Sequence, residues 1–124
     1  MRAEPNRPLS DAERTLVVWF LEGLEPRRAE LLAQVPVLRV VHHCECGCPT
    51  VEFAVRGKRR DYKKPDVILA EAVGPSPEGV DLDIILWMNQ GDLTGVEFVS
   101  HSGASAFTVP APSALKRVPV VRAV

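Results

Sequence analysis

The strongest constraint on the fold of this chain is a change of hydrophobic period near Pro36. Before it, apolar side chains recur at Ala12, Leu16, Trp19, Phe20 and Leu24, the spacing of one buried helical face. Ser10 and Glu13 stand at the start of that run in the S-x-x-E order of a capping box, so the helix is expected to begin there. Gly23 weakens its end, and Pro26 suits the first turn of a second helix better than the interior of a continuous one. The second helix carries Ala29, Leu31, Leu32 and Val35 and stops before Pro36. The pattern predicts either two short helices or one sharply kinked helix.

After Pro36 the period becomes two. Val37 to His43 and Thr50 to Arg56 read as a hairpin, with Val51, Phe53 and Val55 on one face. Val67 to Val73 predicts a third strand, ended by the turn from Gly74 to Gly79. Leu82 to Met88 predicts a fourth, with Leu82, Ile84, Leu86 and Met88 on one face. Ile85 and Trp87 are apolar as well, so this strand is expected to be central and covered on both sides. Asn89-Gln90-Gly91-Asp92 turns into a fifth strand, Leu93 to Ser100, in which Gly95 marks an expected bulge. The aromatic residues Trp19, Phe20, Phe53, Trp87 and Phe98 fall on the apolar periods and are assigned to the core. The fold class expected is α+β: an N-terminal helical segment packed on an antiparallel meander of about five strands.

A length of 124 residues fits one domain, which here runs from 10 to 102, with residues 1–9 as a flexible lead-in and 103–124 as a Pro-rich extended tail. With 46% hydrophobic and 25% charged residues, the composition excludes wholesale disorder. No stretch approaches the ~20 apolar residues of a membrane helix, and the first residues show no apolar run of a secretory signal. A cytoplasmic protein without membrane association is therefore expected.

The net charge of −1 conceals a cancellation. Residues 37–64 hold seven basic against three acidic side chains, whereas residues 65–124 hold three against seven. A generally basic nucleic-acid binder is thereby disfavoured, although a local basic patch remains open. That patch is Arg56 to Lys64, where Lys58, Arg59, Arg60, Lys63 and Lys64 could grip phosphates and Tyr62 stack on a base. Its plainer role is a solvated loop that blunts a sheet edge. On the acidic side, Asp81, Asp83, Asp92 and Glu97 could face a basic protein partner, as an immunity protein faces a nuclease toxin. The plainer role is the polar face of an ordinary sheet.

All three cysteines lie between Cys44 and Cys48, in His42-His43-Cys44-Glu45-Cys46-Gly47-Cys48-Pro49-Thr50. An odd number of thiols in a cytoplasmic protein does not suggest a disulfide framework. Cys44, Cys46 and Cys48, with His42, His43 or His101 as a fourth ligand, could build a Cys3His zinc site. Against this, zinc sites in small domains usually use C-x2-C pairs. Two other readings stand beside the metal: small side chains packing a tight β-bend, and redox chemistry, for which C-x-C lacks the helix N-terminus that lowers a thiol pKa.

The run from Cys44 to Phe53 resembles a family of small bacterial domains of unknown function. In that family a helical N-terminus precedes a C-x-C-G-C-P-[ST] hairpin, and a later hairpin has the form Gly-x-Leu-x-x-Leu-Glu. The counterpart here is Gly91 to Glu97, with Val96 in the usual Leu place. The resemblance spans roughly residues 10–100 and implies one compact domain. It implies no activity, cofactor or site residue.

Catalytic motifs are not in view. Ser100-His101-Ser102 places a base beside two hydroxyls, but neighbours on a strand point to opposite faces. No nucleophile elbow, P-loop or H-E-x-x-H occurs in the chain. The function expected is non-enzymatic binding, as a protein-interaction module that could dimerise through an uncovered sheet face or edge. The alternatives are a zinc-binding domain at the cysteines and nucleic-acid contact through the 56–64 loop.

Overall fold

Ser10 opens the first helix by the predicted device. Its hydroxyl accepts from the backbone N–H of Glu13 at 3.2 Å, and the Glu13 carboxylate accepts from the Ser10 backbone N–H at 2.8 Å. In the computed structural model, which describes residues 4–120, helix α1 (Asp11–Glu22) buries Leu16, Val17, Phe20 and Leu21. The chain leaves it at Gly23, passes Pro26 and forms a second, separate helix, α2 (Arg28–Leu32), with Leu31 buried. Pro36 then sits in a single 3-10 turn, Val35–Val37. No helix is long and apolar enough to cross a membrane among the described residues.

The capping box is tied to the chain that precedes it. Strand β1 (Arg7–Pro8) places the Arg7 guanidinium on both Glu13 oxygens, at 2.8 and 2.9 Å. Burial alone would raise the Glu13 pKa, but Arg7 and the Ser10 hydrogen bonds outweigh it and hold the carboxyl below its usual value. A carboxyl with a depressed folded-state pKa adds stability that is present above its unfolded value, about 4.3, and lost as pH falls through the folded value. Glu13→Gln is therefore expected to cost about 1–2 kcal/mol near neutral pH, at the modest end because Arg7 is 36% exposed. In urea unfolding, the variant's stability should also fall less steeply than the wild type's below about pH 4.

One antiparallel sheet holds the remaining elements: β2 (Leu38–His43), β3 (Val51–Val55), β4 (Val67–Pro75), β5 (Asp81–Asn89), β6 (Asp92–Ser100) and β7 (Lys116–Val118). With β1 it has seven strands among the described residues, in the order β1-β2-β3-β6-β5-β4-β7. The expected five are β2 to β6. The count rises to seven because segments of two and three residues, too short to show a period, pair on the two edges. Nor is the sheet a simple meander. β6 returns beside β3, a Greek-key order, so the connection from β3 to β4 has to pass the ends of two intervening strands.

Strand alternation gives the sheet two different faces. Val40, Val51, Phe53, Leu82, Ile84, Leu86, Val96 and Phe98 join the helix residues Leu16, Val17, Phe20 and Leu21 in one core. On the other face, register aligns Glu52, Gly95, Trp87 and Ile68 in one row and Glu97, Ile85 and Glu71 in the next. There Ile85 and Trp87 are only half-buried and Val99 is exposed. β5 is central, but the second cover expected for it is incomplete, and Trp87 belongs to this open face and not to the core. The segment after β6 is fastened at three points. Phe107 is buried edge-on to Phe98, Thr108 donates two hydrogen bonds to the Glu78 carboxylate, and Arg117 stacks on Trp19 while donating to its carbonyl oxygen at 2.6 Å.

Candidate metal centre and the adjoining groove

Between β2 and β3 the turn of residues 44–50 is closed by the Cys44 N–H donating to the Thr50 carbonyl at 3.1 Å, and by the Gly47 N–H donating to the Cys44 carbonyl at 3.2 Å. Gly47 has φ +89°, a conformation that side-chain-bearing residues rarely adopt, and there it lets the flanking cysteines turn towards each other. The Sγ atoms of Cys44, Cys46 and Cys48 consequently all lie within 4.8 Å of one another. Tetrahedral zinc with bonds of about 2.3 Å sets its sulfurs about 3.8 Å apart, so small rotations suffice to converge the three.

The thiols are free and differ in setting. Cys48 packs partly against the core, whereas Cys46 is exposed, so packing accounts for the first and not the second. The Cys44 and Cys46 sulfurs are 2.9 Å apart, and the Cys48 backbone N–H donates to Cys46 Sγ at 3.3 Å. Cys44 is pushed up to about 11, first by its hydrogen bond to Cys46, while Cys46 is held below the usual thiol value by its bonds to Cys44 and Cys48. Two sulfurs in hydrogen-bond contact beside an N–H donor form an arrangement that a soft cation can take over.

None of the histidines named as fourth ligands joins the three sulfurs. His43 Nε2 lies 3.0 Å from an Arg7 nitrogen, His42 Nδ1 lies 3.8 Å from Glu4, and His101 Nε2 lies 3.2 Å from Asp83. Among the described residues, the mutually close donors are the three sulfurs, with no histidine or carboxylate in the group.

The basic and acidic stretches do not form two uniform patches. Arg59 bonds to Glu52 and Glu4, and Arg60 pairs with Asp66 while stacking on Tyr62 at 4.4 Å. Lys58 lies in the turn that closes β3, and Lys63 and Lys64 cap Asp61 through their backbone N–H groups. On the acidic side, Asp81 and Asp83 start β5 and Asp92 starts β6 at the opposite end of the hairpin, roughly 20–27 Å away by strand rise. Glu97 lies between them and accepts from the Trp87 indole N–H at 3.0 Å.

A feature the sequence did not announce lies on the open face. The loop from β3 to β4 is anchored over it by Asn89, whose amide donates to the Asp61 and Lys64 carbonyls and to Asp66, and by Tyr62, whose hydroxyl donates to Glu52 at 2.6 Å. Between this loop and the cysteine turn is a groove of about 370 Å³ in which Cys44, Trp87, Thr94, Glu97 and Arg60 meet. Thr94 is the extra residue of the bulge opposite Trp87 and Met88, as Gly95 foretold. It is 4% exposed, and among the described residues neither its hydroxyl nor Arg60 Nε has a partner. Only the apolar Trp87 and the bulge glycine hinted at the groove in the sequence. Comparison with known protein families, curated proteins and solved structures finds no match to this chain.

Proposed function

We propose that the protein is a metal-binding module in which Cys44, Cys46 and Cys48 hold one zinc ion as thiolates, its fourth position filled from outside the trio. The observation that carries this reading is the convergence of three free sulfurs within 4.8 Å on one turn. The donor chemistry fits the ion: thiolates are the ligands that select zinc and copper(I) over oxygen-loving cations. Because the three are consecutive alternate residues on one hairpin, metal would lock the β2–β3 turn itself and need no distant element.

Native mass spectrometry of protein purified without chelator tests this. One zinc per chain is expected, falling to none in the triple Cys44→Ser, Cys46→Ser, Cys48→Ser variant. Less than about 0.1 metal per wild-type chain overturns the assignment, since structural sites are normally filled.

A further inference from the structure

The thiol turn holds a second chemistry that needs no metal. Cys46 is exposed, whereas Cys44 and Cys48 are half-buried, so a reagent arriving from solvent meets the Cys46 sulfur first. Its Sγ is already 2.9 Å from that of Cys44. A disulfide bond is about 2.05 Å long, so less than about 1 Å of sulfur movement separates the two states. The backbone permits the bond as well. The Gly47 N–H donates to the Cys44 carbonyl, which closes a β-turn over residues 44–47. Inside such a turn, Cα atoms two residues apart lie within the roughly 4.4–6.8 Å that a disulfide spans.

The C-x-C spacing brings no helix N-terminus to the thiols, but the Cys48 backbone N–H reaches Cys46 Sγ at 3.3 Å. That donor faces the negative charge of an attacking sulfur and sets Cys46 apart from Cys44. Cys48 has the least freedom to move, because it packs partly against the core. The arrangement divides the roles: Cys46 meets the oxidant, Cys44 resolves, and Cys48 stays a thiol.

We propose that Cys44 and Cys46 form a reversible dithiol–disulfide couple driven by hydroperoxides, with Cys46 as the attacking sulfur and Cys44 as the resolving one. The Cys46 thiolate attacks a peroxide oxygen. An S–O bond forms, the O–O bond breaks, and the leaving alkoxide or hydroxide takes up the proton that Cys46 gave away. The Cys44 sulfur then attacks Cys46, the S–O bond breaks, and water leaves with the Cys44 proton. The two thiols lose two electrons in all, and one hydroperoxide is reduced. A disulfide offers no thiolates, so where the zinc assignment above holds, the same oxidation removes two of the three ligands and releases the ion. Only that consequence rests on the zinc assignment.

Hydrogen peroxide added to the full chain, freed of metal by chelator, tests the couple, with thiols counted by dithionitrobenzoate beside the intact mass. The count should fall from three to one, the peptide that holds Cys44 to Cys48 should lose two hydrogens, and dithiothreitol should restore all three thiols. Cys48→Ser should lose its two remaining thiols as fast as the wild type loses two, whereas Cys44→Ser should lag. The double variant Cys44→Ser, Cys48→Ser should stop at the sulfenic acid, which dimedone labels at Cys46. The proposal is overturned by a wild-type count that stays at three, by a disulfide between two chains, or by Cys44→Ser and Cys48→Ser oxidising alike. Zinc-loaded protein should release its metal to a chromophoric chelator in step with the disulfide. Metal kept by the disulfide form would overturn the thiolate ligation instead. Oxidation is read without metal and zinc content without oxidant, so either assignment can fail alone.

Discussion

Zinc at a thousandfold excess over its dissociation constant is expected to raise the free energy of unfolding by about 4 kcal/mol, and the melting temperature by on the order of 10–20 °C. The reason is linkage: the three sulfurs are gathered by the folded turn, through Gly47 and the Cys44–Thr50 hydrogen bond, and are dispersed on unfolding. The triple serine variant should melt at the same temperature with and without zinc. Chelator should return the wild type to the metal-free curve. The shift should also depend on pH with a definite sign. Thiols must lose their protons to bind, and Cys44 is pushed up to about 11 without metal, so zinc competes with protons and its effect grows as pH rises. An increment that is unchanged in the serine variant, or that grows towards acid pH, would sink the thiolate assignment.

The helices and the five longer strands were readable because each rests on a local rule. Ser10 and Glu13 form a capping box whose two hydrogen bonds span three residues. The alternation in β5 follows from the pleat alone, and Leu82, Ile84, Leu86 and Met88 are buried together as it requires. Strand order obeys no such rule. That β6 lies beside β3 is decided by which apolar faces complete the core, a non-local matter. The edge strands were invisible for a related reason: Arg7–Pro8 and Lys116–Val118 are held by partners far along the chain, β2 and β4, and carry no pattern of their own.

The site divides along the same line. The thiol trio was legible because its members are sequence neighbours, so one glycine turn is enough to assemble it. His101 was a reasonable fourth ligand by type, but a carboxylate at 3.2 Å on the adjacent strand takes it. The groove could not be read, since it needs a loop laid over strands whose order was unknown. Trp87 shows the difficulty in one residue. Its apolar character suggested core, whereas its place in the alternation put it opposite the core-facing Leu86 and Met88, on the open face. The alternation was the better guide, because burial on both sides requires a second layer that the strand's own residues cannot supply.

Replacing Gly95 with alanine is expected to be strongly damaging, costing about 3 kcal/mol or more, at the upper end of overpacking effects. β3 and β6 are joined at two register pairs, Val51 with Val96 and Glu52 with Gly95, and these join β1–β2–β3 to the rest of the sheet. An added Cβ at Gly95 would meet the Val51 carbonyl oxygen in hard contact and lie 3.4 Å from Glu52 Cα. Both are backbone atoms, so no rotamer relieves the clash; β3 itself must withdraw. Withdrawal loosens the hydrogen bonds of that junction and opens the core at Val51 and Val96, which are 6% and 3% exposed. Gly79→Ala provides the control. That glycine has φ +84° with nothing within 4 Å of a built Cβ, so only the backbone conformation is penalised, at about 1–2 kcal/mol. Urea unfolding of the two variants separates crowding from conformational preference. Equal losses would show that the approach of β3 to β6 is soft.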